Sequence, residues 1–371
     1  MKVTFPHMGN MYICLKAMLN YLGVEVVVPP PTSKKTMVLG VQNSPEFACL
    51  PMKVNLGNFI EAYEQGADTI LMAGGVGPCR FGYYAQVQKE IIEDLGLNYK
   101  MIVLEPPQKH ISELLAKIKE VADNQSWLRI IKAIRFGWLK AVVADRLEQS
   151  IHYLRPRELE QGHADQVYQK ALHWIDRAES PQELADVEKK IGEALKKVAV
   201  NRNRDVIRIG LVGEIYVLLE PFVNLEIERN LGKLGVEVER SIYLSQWIND
   251  HLFMGLLKMK SSKESKLMAL PYVNHTVGGH GQESIGSAVI FSQQGYDGVI
   301  QVAPFTCMPE IIAESILPTV SRDKDIPTYT LIVDEHSGDA GVVTRLEAFV
   351  DLLRRRKNYK EGTKKCMDFL G

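Results

Sequence analysis

Gly74-Gly75-Val76-Gly77-Pro78-Cys79-Arg80-Phe81-Gly82 decides the fold. The apolar run before it, Thr69-Ile70-Leu71-Met72-Ala73, reads as a buried strand of a parallel sheet, and Tyr83 to Leu95 after it reads as a helix. Small residues in the turn let the backbone approach a bound group closely. A strand-to-helix turn at the carboxyl end of a strand is where open α/β sheets place ligands. Cys79 is presented there. Cys49-Leu50-Pro51 and Pro304-Phe305-Thr306-Cys307-Met308-Pro309 repeat the setting, each a proline-flanked loop ahead of a helix.

Working outward, Lys2-Val3-Thr4-Phe5 reads as an opening strand, His7 to Asn10 as a turn, and Met11 to Leu22 as a helix stopped by Gly23. Glu25 to Val28 is the next strand, ended by Pro29-Pro30-Pro31; a helix from Met52 to Gln65 leads into Thr69. Met101 to Leu104 is a further strand, stopped by Pro106-Pro107. Alternation of strand and helix is the signature of a parallel, helix-covered sheet. From Ile111 to about Val200 apolar residues recur at helical spacing, with helices expected over Ile111–Ala122, Trp127–Phe136 and Leu184–Ala199. Such a block either separates two lobes or packs across the cleft between them.

A second α/β stretch opens at Val206 to Val212, with Gly213-Glu214-Ile215-Tyr216 as its turn and a helix running to Leu234. It continues with strand Val236–Glu239, helix Glu283–Gln294, strand Gly298–Ala303, helix Glu310–Leu317, strand Tyr329–Val333 and helix Gly341–Arg354. Leu22-Gly-Val-Glu-Val26 is matched by Leu234-Gly-Val-Glu-Val238, and Gly66-Ala-Asp68 by Gly295-Tyr-Asp297. Self-similarity of this kind points to a duplicated unit. The expected fold is α/β: two Rossmann-like parallel-sheet lobes, residues 1–108 and 205–371, with a helical connecting region at 109–204. Duplication puts Cys79 and Cys307 at equivalent strand ends, facing one cleft. His7, Asn10 and Glu214, each in the first turn after an opening strand, are expected to line it too.

The chain of 371 residues is 46% hydrophobic and 24% charged, with formal net charge −1. That balance argues against a general nucleic-acid binder, whose affinity comes from clustered Lys and Arg. Arg354-Arg-Arg-Lys357 reads as a solvated helix face. No apolar run reaches the roughly 18 residues needed to span a bilayer, and the start shows no signal-peptide pattern. A cytoplasmic protein without membrane partners is expected. Five dispersed cysteines do not suggest a disulfide framework.

Taken singly, a cysteine reads as a small buried hydrophobe, and Cys14, beside Ile13, Ala17 and Met18, fits that reading. Cys366 lies in a charged stretch. Cys49, Cys79 and Cys307 differ, because helix N-termini stabilise thiolate and any anionic cluster attached to it. Structural zinc normally takes four Cys or His ligands, often in close pairs such as C-x2-C, which are absent. Three thiolates with a vacancy suit an iron–sulfur cluster with one open iron. No G-x-G-x-x-G or P-loop occurs. Val277-Gly-Gly-His-Gly281 reads either as an anion cradle, for example for a CoA phosphate, or as a connector. His275 and His280 are candidate proton donors or surface histidines, and Asp334-Glu335-His336 a cleft-facing or merely solvated loop.

Read together, Phe47-Ala-Cys49-Leu-Pro51-Met-Lys53 with Gly57, Gly77-Pro-Cys79-Arg-Phe-Gly82-Tyr-Tyr, and Pro304-Phe-Thr-Cys307-Met-Pro309 resemble the cluster-binding motifs of the 2-hydroxyacyl-CoA dehydratase and benzoyl-CoA reductase family. The resemblance is greatest to its branch of uncharacterised activase-associated proteins. Gly213-Glu-Ile-Tyr216 with Pro221-Phe-Val-Asn224, and Thr344-Arg-Leu-Glu-Ala-Phe349, also resemble family blocks. The resemblance implies a [4Fe-4S] cluster held by Cys49, Cys79 and Cys307, with the fourth iron open. It implies a separate ATP-hydrolysing activase as electron donor, and an acyl-CoA thioester or other small molecule as acceptor. A paralogous subunit or a homodimer would fit the same family. The alternative role is a non-catalytic cluster carrier or scaffold for a paralogous reductase or dehydratase.

Overall fold

Thr69–Ala73 is indeed a strand, and the chain around it alternates as its apolar runs and glycine stops dictate. In this computed structural model the described residues are 1–75, 77–105, 111–250 and 263–370, without the side chains of 263 and 361–370. Val76, Pro106, Pro107 and the Cys366 side chain lie outside the described residues.

The first lobe runs β1 (Lys2–Thr4), α1 (Met11–Leu22), β2 (Glu25–Val26), α2 (Lys34–Asn43), α3 (Leu50–Glu64), β3 (Thr69–Ala73), α4 (Phe81–Asp94) and β4 (Lys100–Leu104). Between the sheets come α5 (Ile111–Val121), α6 (Trp127–Leu154), a 3-10 turn (Arg155–Arg157), α7 (His163–Arg177) and α8 (Pro181–Lys196). The second lobe runs β5 (Ile207–Gly213), α9 (Ile215–Leu219), α10 (Ile227–Lys233), β6 (Val236–Arg240) and α11 (Leu244–Ile248). It continues through α12 (Lys263–Ala269), α13 (Gly281–Gln293), β7 (Gly298–Pro304), α14 (Met308–Lys324), β8 (Thr328–Val333) and α15 (Asp339–Leu370).

The two sheets have the same permutation, β2-β1-β3-β4 and β6-β5-β7-β8, with every pairing parallel. The fold is α/β with two Rossmann-like lobes. In each sheet the order reverses at the central pair, β1 with β3 and β5 with β7. The carboxyl ends of such a pair border the crevice where open sheets bind ligands. The Cys79 turn leaves β3, the Glu214 turn leaves β5 and the Cys307 turn leaves β7.

Helix α3 belongs to both lobes. Leu50 and Val54 pack in the core of the second lobe with Ile207, Ile209 and Val217, whereas Leu56 and Phe59 pack under β3 of the first. Glycines let α2 lie backbone-to-backbone on α3. A Cβ built on Gly57 would stand 2.0 Å from the Thr36 carbonyl oxygen, and one on Gly40 would stand 1.9 Å from that of Lys53.

Sequence periodicity missed or misjudged several elements. It assigned nothing to α2, which starts at a capping box in which Ser33 and Thr36 satisfy each other's backbone N–H groups. The expected Trp127–Phe136 helix continues through Gly137 to Leu154, because that glycine is a contact: its Cβ would meet the Cys14 carbonyl oxygen at 2.9 Å. The expected continuous helix up to Leu234 is broken into α9 and α10, where Leu225 and Glu226 take φ of 58° and 50°.

The helical block packs across both lobes. α6 lies on α1 through Gly137, while Trp138 Nε1 donates to the Ser245 carbonyl at 3.3 Å. Asp145 Oδ2 accepts from Ser245 N at 2.7 Å, and Glu148 pairs with Arg240 at the end of β6. Among the described residues, no helix is long and apolar enough to cross a membrane.

Candidate functional site

Three cysteines precede three helices for one local reason. Cys49 and Cys307 are the N-cap residues of α3 and α14, each with a proline in the first turn, and Cys79 stands two residues before α4. Proline at a helix start sacrifices no hydrogen bond and pre-sets the backbone. The thiols turn back onto the first-turn amides: Cys49 accepts from Met52 N, Cys79 from Phe81 N and Cys307 from Glu310 N. Phe-x-Cys-x-Pro therefore occurs twice, at Phe47–Pro51 and Phe305–Pro309, as the same structural device.

The loops carrying the cysteines meet. Arg80 Nη1 donates to the Phe47 carbonyl at 2.8 Å, and Nη2 donates to Thr306 Oγ1 at 3.1 Å and to the Thr306 carbonyl. Thr306 holds φ of +67°, a conformation that costs a non-glycine residue about 1–3 kcal/mol. From above, the loop before α13 lies on the Cys79 turn. A Cβ on Gly278 would stand 2.9 Å from Cys79 N, and one on Gly279 would stand 3.0 Å from Pro309 Cγ and 3.9 Å from Cys79 Sγ. The Gly-Gly-His-Gly stretch is thus a close-approach element of this site.

Glu214 is the carboxyl shared by this group. It caps α9, with Oε2 accepting from Val217 N at 3.1 Å, and its backbone N donates to Val302 O on β7 at 3.3 Å. Its negative charge acts on Cys49, Cys79 and Cys307 alike. Burial pushes the Glu214 carboxyl up to about 7. Burial does the same to Glu310, also to about 7, against hydrogen bonds from Gln301 and Ser284.

All three thiols are raised. Burial lifts Cys49 to about 12, opposed by its hydrogen bond with Tyr84 at 2.6 Å and assisted by Glu214. Burial is also the largest cause for Cys79 and Cys307. The sulfurs are therefore protonated at neutral pH, and a cation placed among them would displace those protons.

The other first-turn residues are engaged elsewhere. His7 joins the lobes: Nδ1 lies 3.0 Å from Glu220 Oε2, and its carbonyl accepts from Tyr216 Oη at 2.8 Å. Asn10 Nδ2 donates to Glu148 Oε1 at 2.5 Å and to Tyr168 Oη at 2.7 Å, facing the helical block. Cys14 is buried away from the site with Ala141, Leu219 and Leu244, its thiol donating to the Met11 carbonyl at 3.0 Å. His275 is exposed beside Asn274. Asp334 bonds its own loop through Ser337, whereas Glu335 reaches Lys53 of α3. Sequence reading quoted Arg80, Tyr84, Glu310 and Lys53 at most as motif letters. The repeated Phe-x-Cys-x-Pro was the signal for Thr306 and Phe47.

Among the described residues, no three His, Cys, Asp or Glu side chains stand close enough to hold a single metal ion. One ion would need its sulfurs about 2.3 Å away. A four-iron cluster takes each thiolate on a different iron, so its ligands stand further apart.

Fold and site define a two-lobed α/β protein with a buried thiol and carboxyl group at the carboxyl edges of both sheets. Residues 6–74 match the model of a family described as CoA enzyme activase uncharacterised domain (DUF2229). The matched segment includes Cys49 and ends in the turn ahead of Cys79, and it supports an association with activase-dependent CoA enzymes. No curated protein matches the chain.

Proposed function

We propose that the chain is an iron–sulfur redox protein of the 2-hydroxyacyl-CoA dehydratase type. Cys49, Cys79 and Cys307 would hold a [4Fe-4S] cluster, and a separate ATP-hydrolysing activase would supply the electron. An acyl-CoA thioester is the acceptor class of this reading, in keeping with a matched family whose description names a CoA enzyme activase. The observation that carries the reading is the Arg80 bridge, which joins the loops of Cys49 and Cys307 beside Cys79 although they come from opposite ends of the chain.

The donor set fits such a group. Three thiols of raised pKa, each seated on a first-turn amide, are costly as bare thiolates and suited to a cation-bearing partner. When bound, the cluster supplies a one-electron donor with an open coordination position. The chain supplies the rest. Cys49 and Cys307 are buried, which excludes water, while Cys79 is half-buried. Amides of Met52, Phe81 and Glu310 donate toward the sulfurs. Glu214 accepts from Val217 N and Tyr216 N, and burial raises its carboxyl enough to hold a proton beside the thiols.

Anaerobic reconstitution with iron and sulfide tests the reading. About four irons and four sulfides per chain are expected, with a paramagnetic signal that appears on adding activase and ATP. Less than one iron per chain would end it. Reduction without turnover of any 2-hydroxyacyl-CoA would assign the chain to electron carriage instead.

A further inference from the structure

Arg80 is exposed, yet its guanidinium is committed to two neighbouring loops. Phe47, whose carbonyl takes Nη1, stands two residues before Cys49; Thr306, which takes Nη2 on two atoms, stands one residue before Cys307. Thr306 Oγ1 also donates to the Phe47 carbonyl at 3.3 Å, closing a triangle of three loops from two lobes. Thr306 is held at φ +67°, where a β-branched residue is an outlier, and this guanidinium meets both its carbonyl and its hydroxyl. Every acceptor is neutral. Among the described residues no carboxylate pairs with Arg80, so its charge stands uncancelled at the mouth of the site and opposes that of Glu214 at Cys49 and Cys79.

We propose that Arg80 is a positioning residue that clasps the three cysteine loops across the lobes and offsets negative charge gathered on their sulfurs. The clasp is a property of the bare chain; the charge role rests on the iron–sulfur reading. The two separate chemically. A planar guanidinium fork reaches two carbonyl-bearing loops at once, and lysine keeps the charge without the fork. Glutamine lacks the charge as well.

The clasp is read on the full, reduced, metal-free chain by iodoacetamide labelling, followed at each cysteine by mass spectrometry. Cys49 and Cys307, 8% and 6% exposed, should label slowly in the wild type. In Arg80→Lys and Arg80→Gln both should label about tenfold faster, with Cys14 unchanged as the internal reference. Unchanged rates at Cys49 and Cys307 in both variants overturn the clasp. So does equal acceleration at Cys14, which means general loosening. The charge is read after reconstitution, by redox titration. Arg80→Gln should lie below Arg80→Lys by about 59 mV, a tenfold shift for one electron; equal potentials overturn the charge role. A wild-type chain that takes up no iron ends the iron–sulfur reading, while the labelling result stands or falls without it.

Discussion

Lys53 Nζ lies 2.5 Å from Glu335 Oε1, the lysine side chain 4% exposed and the glutamate 17%. Lys53 stands one helical turn beyond Cys49 on α3, and Glu335 follows β8 of the second lobe, so one buried ion pair fixes the cysteine helix to the opposite sheet. Breaking such a pair from one side leaves an uncompensated buried charge and costs about 3–5 kcal/mol. Glu335→Gln should lose about 3 kcal/mol in urea unfolding, and Lys53→Met with Glu335→Leu should recover most of it. A loss under about 0.5 kcal/mol for Glu335→Gln, the scale of a surface change, would show that the lysine is served by water.

Serine in place of Cys49, Cys79 or Cys307 should lower bound iron and sulfide sharply after anaerobic reconstitution, while Cys14→Ser retains wild-type content. The loops of the first three are joined through Arg80, and the thiol of Cys14 donates to its own helix. Full iron content in Cys79→Ser would refute the ligand assignment.

Gly9 carries a close backbone contact between the lobes. It has φ of +49°, a Cβ on it would stand 2.0 Å from the Leu219 carbonyl oxygen, and its N–H donates to Glu220 Oε2 at 2.7 Å. Gly9→Ala therefore adds overpacking to backbone strain and should destabilise by about 3 kcal/mol. Small-angle scattering should register a wider lobe separation. A variant of unchanged radius and stability would mean that the joint yields freely.

Asp145 gives a pH signature. Burial, then the Glu148 charge, pushes its carboxyl up to about 6 from an ordinary 3.8, against hydrogen bonding from Ser245. The folded chain thus holds an extra proton between these values, and stability falls as pH rises through that window. The two-unit shift corresponds to about 3 kcal/mol. Asp145→Asn keeps an acceptor for Ser245 N and should gain this amount on the wild type between pH 4 and pH 7, read from urea midpoints. Parallel pH profiles would place the charge in solvent.

Much of the architecture was legible because parallel strands covered on both faces are written as unbroken apolar runs. The Leu-Gly-Val-Glu-Val repeats became β2 and β6, and the Gly-x-Asp repeats became the approaches to β3 and β7. The site was legible to the level of the turn and no further. His7, Asn10 and Glu214 all leave first turns, but where a side chain goes is set by what packs opposite. For Glu214 that is the cysteine loops, for His7 the α9 end, and for Asn10 the helical block. Lys53 was legible only as a motif letter, because its partner lies 282 residues away in sequence. α2 stayed hidden because its apolar residues Met37, Val38, Leu39 and Val41 are bunched rather than set along one face, and the residues it buries are Thr36 and Gly40.

Synthesis order gives α3 a further consequence. Its Leu50 and Val54 rest on β5 and α9 residues translated more than 150 positions later, and Cys307 emerges later still. Domains generally fold as units from the N-terminus, at about 5–20 residues per second, so the first sheet can form while one flank of its own helix still waits for cover. The loops of Cys49, Cys79 and Cys307 first meet after both sheets exist. Any group that needs all of them must load after both sheets have been translated, and a ribosome-bound fragment ending ahead of Cys307 would leave Cys49 open to reagents that the folded chain excludes.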